Sequence, residues 1–232
     1  DSSIGGKTGI NSKYGKNLIG SFYQPKLVIS DISFLKSLPK REIFCGYAEI
    51  FKHSLISDKT FFNFLNKNIK KILNLETPFI EKSIYRSCII KKKVVEKDFK
   101  ERGLRKILNF GHTFGHAYEA SFGYSSKLNH GEAVILGISS AAKFGHHNKI
   151  LNTKDYKLIS DHIKKIDKKL SLRNYFKKNN IRKILKFMSN DKKNSDDKIN
   201  LILLKKIGLA NFKNKFNLKK IENFFLNYFN TI

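Results

Sequence analysis

Tryptophan is absent from the 232-residue chain, and its two cysteines, Cys45 and Cys88, are too few for a disulfide framework or a thiolate metal site. No stretch approaches the roughly 20 consecutive apolar residues that a helix needs to cross a bilayer. The opening residues also lack the charged start and apolar stretch of a secretory signal. We therefore expect a cytoplasmic protein with no membrane partner.

Acidic residues are scarce as well: 19 Asp and Glu stand against 46 Lys and Arg, for a formal net charge of +27. Such an excess is one signature of nucleic-acid binding, because these side chains displace counterions from phosphates. Compositional drift is the other explanation, since Lys, Asn, Ile and Phe dominate together, as A- and T-rich coding DNA produces. The lysines are spread along the chain without a recognition motif, so we favour drift and expect no nucleic-acid partner. The positive field would still attract a small anionic substrate.

Residue periodicity predicts a mostly α-helical chain that begins with a residual α/β part. The opening segment 5–17 is glycine-rich and basic, typical of a loop that lets the backbone approach an anion. Segment 26–31 predicts a buried strand, which cannot form a sheet alone, and we expect part of the protein to precede it. The predicted helices are 41–54, 60–75, 78–97, 112–120, 131–144, two within 154–183, and 218–229, and further strand-like segments are 106–108 and 199–204.

Histidine and glycine are concentrated in one region, where three of the seven histidines fall within nineteen residues. His112 and His116 lie in the run Asn-Phe-Gly-His-Thr-Phe-Gly-His, and His130 follows before Gly-Glu. An isolated carboxylate, Glu49, lies upstream. A carboxylate and neutral imidazoles are the ligand set of a catalytic zinc site that keeps one position open. The pattern indicates an enzyme.

Each of these residues also has a purely structural interpretation. His112 and His116 are four apart and share a helix face, so spacing alone would make both of them ligands, yet histidines also cap helices and bond within cores. The crowding favours a functional site. Glu49 is costly to bury unless a cation or metal neutralises it. An ion pair with Lys52, one helical turn further on, could also neutralise the Glu49 carboxylate. Both interpretations are compatible if Lys52 contacts substrate while Glu49 binds metal.

Basic and polar residues near the histidines add a possible anion site. Arg105 and Asn109 are four apart and can point at one anion. Lys91 is followed by Lys92 and Lys93. The ordinary interpretation of three consecutive lysines on a helix is a basic face in contact with solvent.

Five motifs, taken together and in order, resemble the 3-dehydroquinate synthase family. They are residues 1–9, 15–20, 46–49, 109–116 and 130–134. The resemblance implies the C-terminal helical metal- and substrate-binding domain of the dehydroquinate synthase-like fold. The family converts the phosphorylated sugar acid 3-deoxy-arabino-heptulosonate 7-phosphate into 3-dehydroquinate and phosphate, a carbon–oxygen lyase step of the shikimate pathway. The family uses NAD and one zinc or cobalt ion. The resemblance also implies a homodimer.

The resemblance also assigns roles to individual residues. It makes Glu49, His112 and His130 the metal ligands, and it makes His116 a proton-transferring residue instead of a ligand. Glu101 and Lys52 would be further catalytic residues. Substrate contacts would come from Asp1, Lys7, Asn17, Lys52, Lys91, Arg105, Asn109, His116 and Lys192. Contacts with NAD would come from Lys16, Phe34, Leu35, Lys36 and Ser37.

The chain departs from the family pattern in four ways. A complete member begins with a dinucleotide-binding domain, whereas Asp1 corresponds to a position in the middle of such a protein. We therefore expect a fragment or a truncated remnant, with 1–39 left from the N-terminal α/β nucleotide-binding domain and 40–232 forming the helical domain. Cys45 stands where members commonly carry Asn near the nicotinamide, and Ser37 replaces the usual Thr. The lysine-rich C-terminal third matches loosely.

Three other functions compete with this one. Sugar phosphate cyclases that make inosose or valiolone rings share the metal site, and glycerol-dehydrogenase-like enzymes share the architecture. Lys7, Arg105 and Asn109 together favour a phosphorylated acid over both. A catalytically inactive basic binding protein that keeps the fold is the alternative of another class.

Overall fold

The computed structural model describes residues 2–12, 15–190 and 198–230, and it describes no side chains at 11–18 or 190. These residues form nine α-helices and two antiparallel two-stranded sheets. The helices are α1 Lys40–Ser57, α2 Lys59–Leu73, α3 Phe79–Lys97, α4 His112–Ser121, α5 His130–His147, α6 Thr153–Ile166, α7 Leu172–Tyr175, α8 Ile181–Asn190 and α9 Leu218–Asn230. The strands are β1 Ile10–Ser12, β2 Gly15–Ile19, β3 Lys198–Lys206 and β4 Leu209–Asn217. Short 3₁₀ helices span Ile32–Ser37, Leu104–Asn109 and Lys178–Asn180.

Helix α5 forms the centre of the molecule and packs against α1, α4, α6 and β3. It is apolar on nearly all sides, and such a helix is buried by its neighbours. Its residues Val134, Ile135 and Ile138 are fully buried. Phe144, near its end, packs edge-on against Phe224 of α9. The predicted mostly α-helical fold is confirmed.

Close contacts at glycines fix how α5 lies against α1 and α4. A Cβ atom on Gly137 would lie 2.1 Å from the carbonyl oxygen of Gly111, just before α4. A Cβ atom on Gly131 would lie 2.3 Å from the Cα atom of Cys45 in α1. Any side chain would force these backbones apart. The glycines therefore bring the starts of α4 and α5 close to the middle of α1.

The other predicted helices and strands agree with the structure to different degrees. The strand predicted at 199–204 lies within β3, which pairs with β4 through the turn at Gly208. Strand β4 was not predicted from the sequence. The region 154–183 holds most of α6, all of α7 and the start of α8, and the inner face of α6 is buried.

Two predicted strands are wrong. Segment 26–31 is not a strand, and Leu27 and Ile29 are 74% and 81% exposed, because no described strand lies beside it to supply hydrogen bonds. Residues 106–108 lie within a 3₁₀ helix. The Asp98 carboxylate accepts backbone N–H groups from Arg102, Gly103 and Arg105, which turns the chain compactly before that helix.

No helix in the described part of the chain is both long and apolar enough to cross a membrane.

Candidate metal and substrate site

Three side chains with metal-ligating atoms converge from three helices. Glu49 lies in the middle of α1, while His112 and His130 are the first residues of α4 and α5. The Glu49 Oε1 atom is 3.5 Å from His112 Nε2 and 3.8 Å from His130 Nε2. The three ligand atoms lie within 4.8 Å of one another. One divalent ion between them would have an oxygen and two nitrogen ligands, with room for a substrate oxygen.

The two oxygens of Glu49 have different environments. Oε2 accepts a hydrogen bond from the Lys52 ammonium, one helical turn further along α1. Oε1 is buried and accepts no hydrogen bond from the described residues, an arrangement that costs free energy unless a cation lies nearby. Burial raises the Glu49 pKa, but the charge and hydrogen bond of Lys52, together with His53 and His130, outweigh it, and the pKa falls to about 2. The carboxylate is therefore ionised at neutral pH, as a metal ligand must be.

Hydrogen bonds orient both histidine rings so that Nε2 faces Glu49. His112 Nδ1 donates to the carbonyl oxygen of Phe110 at 3.3 Å, and His130 Nδ1 donates to Glu119 Oε2 at 3.1 Å. Because Nδ1 carries the proton in each ring, Nε2 presents a lone pair. Burial and the nearby Lys52 charge hold the His112 pKa well below its usual range, so that ring is neutral.

His116 lies beside this cluster without belonging to it. Its ring centre is 5.2 Å from that of His112 and 6.3 Å from that of His130. Spacing alone would have made His112 and His116 a ligand pair. The structure instead groups His112 with Glu49 and His130. His116 is thus close enough to act on a molecule bound there.

Basic side chains surround the cluster. Lys52 is 3% exposed although it carries a charge. Lys91 is half-buried, unlike the exposed Lys92 and Lys93, and burial together with the charge of Lys52 lowers its pKa to about 8. A nearby anion would favour the charged form of a lysine that has lost solvation in this way.

A second group joins the N-terminal segment to the helices. Lys7 forms an ion pair with Glu101, and Asn109 Nδ2 donates to the same carboxylate at 2.5 Å. Arg105 is 2% exposed, and its guanidinium donates to the carbonyl oxygens of Gly5 and Phe99, each at 2.7 Å. Arg105 and Asn109 therefore have separate partners, whereas their spacing had suggested one shared anion.

Carboxylates match the cations near the cluster in number. Lys7, Lys52, Lys91 and Arg105 are accompanied by Glu49, Glu101, Glu119 and Asp98. An anionic ligand would therefore be attracted by individual lysines and not by a net positive charge of the site.

The predicted NAD contacts occupy one exposed turn. Phe34, Leu35, Lys36 and Ser37 lie in the 3₁₀ helix before α1, and Phe34 is 72% exposed. Leu35 lines a largely apolar cavity of about 250 Å³, and Glu49 lines the same cavity. The turn and Glu49 thus border one space, whereas His112 and His130 do not line it.

Four predicted site residues cannot be located. Asp1 and Lys192 lie outside the described residues, as do the side chains of Lys16 and Asn17. Cys45 is described: burial raises the pKa of its thiol, whose sulfur accepts the Gly131 N–H beside His130 at 3.3 Å.

Two features of this region were not predicted from the sequence. Glu119 lies at the end of α4 and accepts the His130 ring N–H. Its position, seven residues after His112 and three after His116, places it on their helix face and could have revealed it. Arg41 binds both carboxylate oxygens of Glu132, at 2.8 and 2.7 Å, and so fastens α1 to the first turn of α5. No short-range spacing connects that pair.

Comparison with known proteins gives a consistent result. Residues 46–194 match the family model "3-dehydroquinate synthase C-terminal", and residues 1–45 match "3-dehydroquinate synthase N-terminal". The chain is 63% identical over 208 residues to 3-dehydroquinate synthase of Pelagibacter ubique (strain HTCC1062), covering 90% of the chain and 56% of that protein. It is 47% identical over 208 residues to the synthase of Dictyoglomus thermophilum (strain ATCC 35947 / DSM 3960 / H-6-12), covering 90% and 57%. The chain thus spans about half the length of these curated relatives.

Solved structures share the fold. ValA, the 2-epi-5-epi-valiolone synthase of Streptomyces hygroscopicus subsp. jinggangensis 5008 with NAD⁺ and Zn²⁺ bound, superposes with a TM-score of 0.85 at 24% identity, over 98% of this chain and 62% of that one. A 2-deoxy-scyllo-inosose synthase complexed with carbaglucose-6-phosphate, NAD⁺ and Co²⁺ superposes with a TM-score of 0.83 at 24% identity, over 96% and 62%.

Proposed function

The chain belongs to the 3-dehydroquinate synthase family, and on that premise we propose that it is the metal- and substrate-binding part of a 3-dehydroquinate synthase. The reaction would convert 3-deoxy-arabino-heptulosonate 7-phosphate into 3-dehydroquinate and phosphate, with NAD and a divalent metal as cofactors. The observation that carries the proposal is the buried Oε1 of Glu49, which faces two imidazole Nε2 atoms and accepts no hydrogen bond from the described residues.

The donor set fits zinc or cobalt. Glu49, His112 and His130 supply one carboxylate and two imidazoles, ligands that both ions accept. When bound, the ion would polarise a substrate hydroxyl group and make it more acidic.

The remaining residues would bind and orient the substrate. Lys7, Lys52 and Lys91 carry positive charges from three different parts of the chain, and Asn109 adds an amide donor. The substrate has a carboxylate and a phosphate, so separate cationic groups can hold its two ends and keep the reacting carbons in place. Arg105, with its guanidinium bonded to two carbonyls, would hold the segment that carries Lys7.

Proton transfer is proposed for His116 and Glu101. His116 lies next to the ligand rings, and imidazole is the side chain best suited to exchanging protons near neutral pH. It would accept the proton from the substrate hydroxyl that is oxidised. Glu101 bonds Lys7 and Asn109, so it would act at the end of the substrate that those two residues bind.

NAD would bind partly on the turn Ile32–Ser37. Leu35 and Glu49 border one cavity, so a nicotinamide there could approach the substrate carbon next to the metal cluster. We propose that 1–39 belongs to a nucleotide-binding domain and 40–232 to the metal and substrate domain. We also propose a homodimer, which light scattering of the full-length gene product would measure.

The test uses the full-length gene product with the substrate, NAD and Zn²⁺ or Co²⁺. We expect equimolar phosphate and 3-dehydroquinate, and loss of both in Glu49→Gln. A sugar phosphate that lacks the carboxylate separates this function from that of the inosose and valiolone cyclases. Turnover of that compound alone would contradict the proposal.

A salt titration tests the binding-protein alternative. Tight DNA binding with a steep salt dependence, in a protein without cyclase activity, would favour that alternative over the enzyme.

A further inference from the structure

We infer that Glu119 is a positioning residue for the metal site: its carboxylate fixes the tautomer and the orientation of the His130 ring. The inference rests on the proposed function, since it concerns how tightly the ion is held. It adds a residue from the far end of α4 to a site whose other groups lie at helix starts and in α1.

Glu119 is buried, and its contact with His130 links α4 to α5. Glu119 is 5% exposed, and its Oε2 atom lies 3.1 Å from His130 Nδ1. Acidic side chains are almost never this buried without a partner. The carboxylate therefore occupies a position that would cost free energy to maintain if it had no interaction there.

The His130 ring lies between two carboxylates that approach opposite nitrogens. Glu119 meets Nδ1, and Glu49 Oε1 lies 3.8 Å from Nε2. A carboxylate that accepts the Nδ1 proton leaves the lone pair on Nε2 and increases its electron density, which strengthens a metal bond there. The arrangement corresponds to the carboxylate–histidine–metal chains of known metal sites.

Among the three proposed ligands, His130 is the one that needs such support. Its side chain is 41% exposed, whereas those of His112 and Glu49 are 13% and 15% exposed. Packing holds His112 and Glu49, but a ring with that much exposure keeps rotational freedom unless a hydrogen bond restrains it. Glu119 supplies that restraint.

The experiment measures metal affinity in the full-length gene product. Two variants are compared with the wild type: Glu119→Gln keeps the shape and an amide oxygen acceptor but loses the charge, and Glu119→Ala loses both. We expect the Kd for Zn²⁺, measured by competition with a chromogenic chelator, to rise about 10-fold in the Gln variant and up to about 100-fold in the Ala variant. The visible spectrum of the Co²⁺-loaded protein should also change.

Asp155→Asn is the matched control. Asp155 is another buried carboxylate, 4% exposed, and it accepts the backbone N–H of Ile207 at 3.0 Å, away from the metal ligands. We expect this variant to lose thermal stability and keep the wild-type metal affinity, which separates a structural effect from a metal effect.

The possible outcomes test the inference about Glu119 and the proposed function separately. Wild-type Zn²⁺ affinity and an unchanged Co²⁺ spectrum in both Glu119 variants would overturn the inference and leave the proposed function intact. A wild-type protein that binds neither ion would overturn both.

Discussion

The N-terminal segment 2–39 and the helical part that follows it bury their apolar residues very differently. The buried hydrophobic core of the described residues begins at Tyr47 and runs through every α-helix after that point. Segment 2–39, by contrast, supplies eight of the thirteen large apolar side chains that are exposed: Ile10, Ile19, Phe22, Tyr23, Leu27, Ile29, Phe34 and Leu38. The helical part buries its apolar side chains in its own core, whereas segment 2–39 leaves these eight exposed.

This difference divides the candidate site into two parts. The proposed metal ligands all come from α1, α4 and α5, helices that contribute to the buried core. The group around Glu101 depends on the segment, because Lys7 reaches Glu101 and the Gly5 carbonyl accepts a bond from Arg105. Metal binding should therefore tolerate changes in the segment, whereas substrate binding should not.

The largest effect is expected at the metal ligands. Replacing Glu49 or His112 with Ala removes one of the three proposed protein ligands and should abolish stoichiometric metal retention. Elemental analysis of the purified full-length gene product measures this. Lys7→Met is the control from the segment and should retain the metal while it weakens substrate binding. Metal loss in Lys7→Met would show that the two parts are not separable.

The next effect concerns catalysis without metal loss. His116→Ala removes the proposed proton-transferring group, which lies outside the cluster of Glu49, His112 and His130, so the metal content should stay at the wild-type level. The value of kcat should fall by roughly 10²- to 10⁴-fold. Steady-state kinetics and elemental analysis on one preparation test both halves of this prediction. Loss of the metal would instead return His116 to the ligand set.

A smaller effect concerns the helix contact that brings the ligands together. Gly137→Ala places a Cβ atom 2.1 Å from the Gly111 carbonyl oxygen and should lower the free energy of unfolding by about 1–3 kcal/mol or more. Gly145→Ala lies in the same helix, where the nearest atom is 3.6 Å away, and should be neutral or stabilising by up to about 1 kcal/mol. Urea denaturation compares the two. Equal midpoints would mean that this close approach does not define the fold.

The smallest effect is a pH dependence that comes from Lys91. Its pKa is lowered to about 8, first by burial and then by Lys52, so above that pH the folded protein loses a cation that we propose binds the substrate. We expect KM to rise by up to about tenfold per pH unit above pH 8, and Lys91→Arg to remove that rise. The unfolded chain keeps this proton up to about pH 10.5, so the free energy of unfolding contributed by Lys91 increases with pH between 8 and 10.5. A flat KM profile in the wild type would exclude Lys91 from substrate binding.

Sequence alone predicted the helices well because their apolar residues follow a local period. The helix predicted at 41–54 is α1, and the one predicted at 131–144 is the greater part of α5. The strand predicted at 26–31 failed for the opposite reason: a strand depends on a partner distant in sequence, and the local pattern could not reveal that none of the described residues pairs with it. Strand β4 was missed because its side chains are mostly polar and half-exposed.

The candidate site shows the same division. Local spacing pointed to His112 and His116, but the structure groups His112 with His130, eighteen residues away, because two glycine contacts set the positions of α4 and α5. Only the family resemblance had suggested Glu49, His112 and His130 as a set. The structure brings their atoms together, and their role stays a prediction that the variants above test.

One oxygen of Glu49, Oε1, faces the proposed metal position, and the other, Oε2, accepts a hydrogen bond from Lys52. This arrangement links metal binding to substrate binding. An ion held by Oε1 would draw electron density from the carboxylate and weaken its hold on Lys52, which would then be freer to approach a phosphate or carboxylate of the substrate. Thermodynamic reciprocity requires the converse: a substrate that attracts Lys52 would tighten the grip on the ion. One side chain would thus make metal and substrate affinity cooperative, without any movement of the helices.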